Sequence, residues 1–257
     1  MIHKTAMVHP HASIHSEVNI GPYCVIGEGV HIDSGCELKS HVVVQGPTHL
    51  GKNNKIYSFV SLGEAPQDLK FKGENSELII GENNTIREYV SIHRGTQKGE
   101  GKTVIGNNNL LMTSVHIGHN CILGDDIIIA TGSGVAGHAV VEDRVVFAGM
   151  VGVAPFIHVG RNSYITGFSV IDKDVPPFSI CSGRGEFKIR GVNVIGLKRN
   201  NFSIEDIQIL RKSFKHLFTH INPLSIQIDN IERDWKQNVH VQYLLNFLLN
   251  SKNSKNR

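Results

Sequence analysis

The chain is short of the features that most directly reveal a function. Its four cysteines, Cys24, Cys36, Cys121 and Cys181, include no CxxC pair, so neither metal-finger spacing nor a disulfide framework is written into it. No apolar run approaches the ~18 uninterrupted residues of a membrane span. Met1-Ile2-His3-Lys4 begins no apolar leader, and the cytoplasm is the expected address. Charge of one sign is also scarce. Against 26 Lys and Arg stand 23 Asp and Glu, a balance of +3, without the concentrated basic footprint of a nucleic-acid protein. A local basic patch for an acidic partner remains open. There is no GxSxG elbow, and no serine or cysteine stands out as an activated nucleophile.

What the chain has is repetition. An aliphatic residue recurs at every sixth position from Val8 through Ile14, Ile20, Ile26, Ile32, Leu38, Val44, Leu50 and Ile56 to Leu62. The phase breaks, returns at Ile80, Ile86 and Ile92, breaks again, and runs from Ile105 to Ile171. Glycine often follows the aliphatic. The fourth position after it is small or β-branched, as at Val18, Val42, Val60, Val115 and Ala139. A period of six is neither the 3.6 of a helix nor strand alternation. It fits a short strand and a turn forming one side of a triangular coil, so that three hexads close one coil and residues eighteen apart stack at about 4.8 Å. Each coil then buries its aliphatics only against its neighbours, as in a solenoid. Cys24, Cys36 and Cys121 fall at the small position and read as packing residues.

The two breaks, at about 63–78 and 96–103, must leave the coil as loops, common carriers of function on a rigid scaffold. After Pro176-Pro177 the spacing becomes helical. Ser203 and Asp206 form a capping-box pattern ahead of a stripe from Ile204 to Phe218. Asn222-Pro223 ends that helix or opens the next. Val241, Leu244, Leu245, Phe247 and Leu248 form another stripe, and the polar stretch from Ser251 to Arg257 is expected to fray. The 257 residues, 40% apolar, thus divide into a β-solenoid over 1–185 and an α-helical unit over 186–257.

Fifteen histidines are present. Those of the first coils, such as His9, His11, His15 and His31, read as exposed turn residues. His93, His116, His119 and His138 carry more chemical weight, because stacking places position 137 over His119 and so brings His138 to nearly the same face. A neutral imidazole can take a proton from a sugar hydroxyl near pH 7, assistance worth ~10²–10⁴ in rate. By themselves these residues admit hydrogen-bonded surface histidines as readily as catalysis; a third, weaker reading is a zinc site shared between coils, as in the zinc-binding carbonic anhydrases among hexapeptide-repeat proteins.

Several strings resemble the UDP-N-acetylglucosamine O-acyltransferases of lipid A synthesis. They include Pro66-Gln67-Asp68-Leu69-Lys70, Ile92-His93-Arg94-Gly95-Thr96, His116-Ile117-Gly118-His119-Asn120-Cys121, Ala136-Gly137-His138, Asp174-Val175-Pro176-Pro177 and Gly191-Val192-Asn193, in family order along nearly the whole chain. The resemblance implies a left-handed parallel β-helix with a C-terminal helical region, assembled as a homotrimer with each site between two subunits. It implies transfer of a 3-hydroxyacyl chain from acyl carrier protein to the 3-hydroxyl of UDP-N-acetylglucosamine, with no cofactor and no metal.

In that reading His119 is the general base and the Gly137 N–H the oxyanion donor. His138 holds the sugar and acyl chain, His116 lines the same site, and Asp68 and Lys70 reach the sugar nucleotide from the first loop. Gly167 leaves room for the acyl tail, and Asn193 and Arg199 contact uridine and phosphate. The chain departs from the family where Ala154-Pro155 replaces His-Gln, Ile195 a glutamate and Glu186 a histidine. These departures point to a divergent member and open the alternative of a 3-amino acceptor sugar giving an amide.

Overall fold

The structure, a computed structural model, describes residues 1–219, 223–231 and 233–253. The hexads form short strands in three sheets of nine, eight and ten strands, one for each side of a triangular prism. The first face runs from Met7–Val8 to Val170–Ile171 and the second from Ser13–Ile14 to His158–Val159. The third runs from Asn19–Ile20 to Ser179–Ser182. Register is parallel at the expected spacing, Val25 against Val43 and Val146 against Tyr164. At the two breaks it lengthens: Ser61 pairs with Ser91, and Ser91 with His116. The surplus residues leave as loops between Ser61–Glu64 and Glu77–Ile80, and between Ser91–His93 and Lys102–Ile105.

The sixth-position aliphatics from Ile20 onward fill the prism, nearly all at 2% exposure or less. Val8 and Ile14 are only partly buried, because the first coil has a neighbour on one side alone. Burying each such side chain contributes roughly 1.5–3 kcal/mol. The four cysteines are buried. Loss of solvation pushes the Cys121 thiol up to about 12 and that of Cys181 to about 11, so both stay protonated and behave as apolar filler. At the same small position Asn54, Asn84 and Asn109 form a buried ladder. Each amide oxygen accepts the backbone N–H one coil on, from Asn84, Asn109 and Ile127, at 2.7 to 2.9 Å.

The prism closes where Lys188–Val192 turns back antiparallel on Ser179–Ser182. Five helices follow among the described residues: Val194–Arg199, Ile204–Thr219, Leu224–Asp229, Arg233–Lys236 and Val239–Asn253. The expected cap forms, with the Asp206 N–H donating to Ser203 Oγ at 3.0 Å. Pro223 stands just before Leu224–Asp229, while Asn222 lies outside the described residues. Ile207, Leu210, Phe214, Leu217, Val241, Leu244 and Leu248 pack with Phe178 in a second core.

The last helix is tied to the prism. Tyr243 OH donates to Glu142 Oε2 at 2.8 Å and Ser251 Oγ to Asp174 Oδ2 at 2.6 Å. The expected fraying therefore does not begin at Ser251, because a prism carboxylate holds its hydroxyl; residues 254–257 lie outside the described part. His31 is likewise not a turn residue: it belongs to the strand Val30–Ile32. Among the described residues no helix is long and apolar enough to cross a membrane.

Candidate active site

One position of the first face builds a groove. In successive coils the residue just before the buried aliphatic is His116, Gly134, Gly152 and Val170, each in register with the next. A Cβ added at Gly134 or Gly152 would meet nothing within 4 Å. Packing does not demand glycine at either position, and the missing side chains leave an open floor. The resulting cavity of about 560 Å³ is lined by Gln67 and His93 from the loop side and by His116, Gly118 and His119. It continues along Gly134 to Gly137 and Gly152 to Pro155, ending at Val170.

His119 is half-buried at the mouth of the corner between the first two faces. Its Nδ1 lies 2.8 Å from Asn120 Oδ1. The Asn120 amide cannot be flipped, since its Nδ2 donates to the carbonyls of Thr96 and Gly99 while Oδ1 accepts the Thr96 N–H. His119 Nδ1 must then carry the proton, and Nε2 keeps its lone pair. That ring edge lies against Gly137, where an added Cβ would come within 2.8 Å of both Cε1 and Nε2. The Gly137 N–H has no hydrogen-bond partner among the described residues. A proton acceptor and an unengaged main-chain dipole thus face the same cavity.

Of the neighbouring imidazoles, His116 and His138 are pushed toward the neutral form by burial. His116 Nδ1 pairs with Ser91 Oγ at 2.8 Å; burial, then the nearby His93, push its pKa down. His93 Nδ1 pairs with the Ala65 carbonyl at 2.6 Å, which ties the first loop to the face. His138, in the left-handed backbone region at φ 63°, sets its ring perpendicular to His119 at 5.1 Å and stacks on Phe156 at 4.6 Å. Burial lowers its pKa first, helped by His119 and Lys98 and opposed by the Asp68 carboxylate. Both extruded loops therefore bring a charge to His138.

Among the expected site residues, the structure brings His116, His119 and Gly137 to one cavity and sets His138 and Asp68 beside it. Lys70 stands exposed on the same loop. Gly167 lies at a corner near Gly149, and its carbonyl accepts Arg184 Nε at 2.9 Å. Asn193 and Arg199 do not line the cavity of a single chain. Asn193 caps the helix Val194–Arg199 and donates to the Asn162 carbonyl; Arg199 is exposed at that helix's last turn. Gln67, Lys98 and Asn120 were not picked out as site residues from sequence. Asn120 carried a signal, an amide directly after the base. Lys98 carried none, because its loop has no period.

A prism of stacked hexads with histidines and a bare main-chain N–H on its side places the chain among the hexapeptide-repeat proteins. The model of the bacterial transferase hexapeptide (six repeats) matches residues 11–46 and 102–137. Domain 2 of Udp N-acetylglucosamine O-acyltransferase matches residues 174–255. An acyl-[acyl-carrier-protein]–UDP-N-acetylglucosamine O-acyltransferase of Thermodesulfovibrio yellowstonii is 45% identical over 247 residues, 96% of this chain and 95% of that protein. The solved UDP-N-acetylglucosamine acyltransferase of Bacteroides fragilis superposes with a TM-score of 0.94 at 34% identity, covering 97% of both chains. That of Francisella novicida gives 0.92 at 37%, covering 96% of this chain and 90% of the other. The chain belongs to the UDP-N-acetylglucosamine O-acyltransferase family, and its prism is the left-handed parallel β-helix of that family.

Proposed function

We propose that this chain transfers a 3-hydroxyacyl group from acyl carrier protein to the 3-hydroxyl of UDP-N-acetylglucosamine, the first step of lipid A synthesis. One observation carries the mechanism: Asn120 Oδ1 claims the Nδ1 proton of His119 and leaves Nε2 free beside the Gly137 N–H. Nε2 takes the proton of the sugar hydroxyl as its oxygen attacks the thioester carbon. The Gly137 N–H receives the developing oxyanion. Collapse expels the carrier thiolate, which recovers the proton from the His119 imidazolium. No covalent enzyme intermediate and no metal enters this sequence.

His116 and His138, kept neutral by burial, offer hydrogen bonds to substrate rather than charge. Asp68 and Lys70 reach the sugar nucleotide from the first loop. Gly167 leaves space for the acyl tail, which the glycine floor and Val170 can accept. Asn193 and Arg199 serve uridine and phosphate from the adjacent copy in a homotrimer, a reading supported by their absence from the groove lining of one chain. The chemistry belongs to the β-helix of 1–185, and the helical unit of 186–257 supplies the nucleotide contacts. The cytoplasm, where the carrier protein is acylated, is the site of action.

The test is mass spectrometry of the product formed from mixed 3-hydroxyacyl carrier proteins with UDP-N-acetylglucosamine and its 3-amino analogue. Ester product from the hydroxyl sugar, cut ~10²–10⁴-fold in His119→Ala, is the expected result. Undiminished turnover in that variant overturns the mechanism. Preference for the amino sugar transfers the assignment to an amide-forming relative, the reading favoured by the Ala154-Pro155 wall.

A further inference from the structure

Far from the groove, the second face gathers another set of side chains. His31 in the strand Val30–Ile32 and His49 in the strand Thr48–Leu50 are direct partners in the parallel register. Asp33 follows two residues after His31 on the same side. His31 Nε2 lies 3.0 Å from Asp33 Oδ1, and His49 Nε2 lies 3.1 Å from Asp33 Oδ2. The ligand atoms of all three lie within 4.8 Å of one another. The geometry points to a binding site for a divalent transition-metal ion of the zinc class, held by His31, Asp33 and His49 and clamping two successive coils.

The donor set is of the right kind, two imidazoles and one carboxylate. Both rings turn the same nitrogen toward one point. Ligand bonds of ~2.1 Å in a tetrahedron give edges of about 3.4 Å, so the present spacings need only small side-chain rotations. The backbone beneath is fixed, with the Asp33 N–H donating to the Leu50 carbonyl at 2.9 Å. The Asp33 carboxylate turns one oxygen toward each ring, Oδ1 to His31 and Oδ2 to His49, so that it stands between the two nitrogens. The two imidazoles are about half exposed, at 51% and 47% of the side chain, which leaves water free to complete the coordination.

The other three-residue cluster of this kind, His9, His11 and Glu28, is less well prepared. There His9 Nδ1 is already occupied by the His11 N–H at 3.2 Å, and Glu28 reaches in from an exposed position. The groove histidines form no such cluster among the described residues.

Equilibrium dialysis of the chelator-treated full chain against zinc chloride tests the site. The unmodified chain is expected to take up one zinc tightly. H31Q/H49Q is expected to weaken that uptake by about tenfold or more, while H9Q/H11Q retains it. Zinc should also raise the melting temperature of the unmodified chain and not that of H31Q/H49Q. Failure of the unmodified chain to take up zinc saturably, or equal uptake by H31Q/H49Q, overturns the proposal. Should H31Q/H49Q fail to fold, Asp33→Asn is judged by the same criterion.

Discussion

Two groups of histidines share one scaffold and one register, yet their surroundings differ. In the first coils His31 and His49 are about half exposed and share the Asp33 carboxylate, and His11 contacts Glu28. Around the groove, His93, His116 and His119 instead pair with a carbonyl, a hydroxyl and an amide. A carboxylate stabilises an imidazolium. Burial favours the neutral ring, at His116 and also at His138, where it outweighs the nearby Asp68 carboxylate. The first environment gathers ring nitrogens around a carboxylate, the donor set a metal ion requires. The second directs Nδ1 of His119 to Asn120 and leaves Nε2 with its lone pair facing the cavity, which is what proton abstraction needs. Position in the hexad does not distinguish the two groups; what stacks beside each ring does.

The sharpest way to break the groove environment is Gly137→Ala. Its methyl would fall within 2.8 Å of the His119 ring and displace the base, and such misplacement costs about 10²-fold. Steady-state kinetics should show the loss in kcat. Asn120→Ala comes next. It removes the acceptor that orients the His119 ring and the amide that holds Thr96 and Gly99 of the second loop. A roughly tenfold loss in kcat/KM is expected, with partial recovery in Asn120→Asp, which keeps the acceptor.

Glu142 tests the intermediate case of a buried carboxylate paired with histidine. Its burial raises the carboxyl pKa, but hydrogen bonds from His158 and Tyr243 and the Arg161 N–H bring it below the ordinary value. A depressed folded-state pKa contributes stability that is present above the unfolded value and lost as pH falls through the folded one. Glu142→Gln should therefore cost about 1.5–3 kcal/mol near neutral pH, and the difference should shrink in acid melts. The smallest effect is expected for His49→Gln, on the carboxylate-paired side. Acyl transfer should stay within about twofold of the unmodified chain; a larger loss would break the separation between the two groups.

The prism was legible because its information is local and repeated. Every sixth residue from Ile20 to Ile171 that carries the period is buried, and the two phase breaks mark where the loops leave. Within the site, His116, His119, Gly137 and His138 could be grouped from coil stacking alone, since that argument needs only register. Ring direction could not be read in the same way. Nor could the links from Asn120 to Thr96 and Gly99, because the second loop has no period and its path depends on distant partners.

The sequence alone determined the solenoid, its core, the extruded loops and the helical appendage, since each follows from burial repeated at fixed spacing. Only the tertiary structure decided which nitrogen of His119 keeps its lone pair, how the loops bring Asp68 and Lys98 to His138, and that the last helix is fastened through Tyr243 and Ser251. Those outcomes rest on single hydrogen bonds and charges between segments far apart in the chain. Such pairings leave no periodic trace, so they exist only once the coils have stacked.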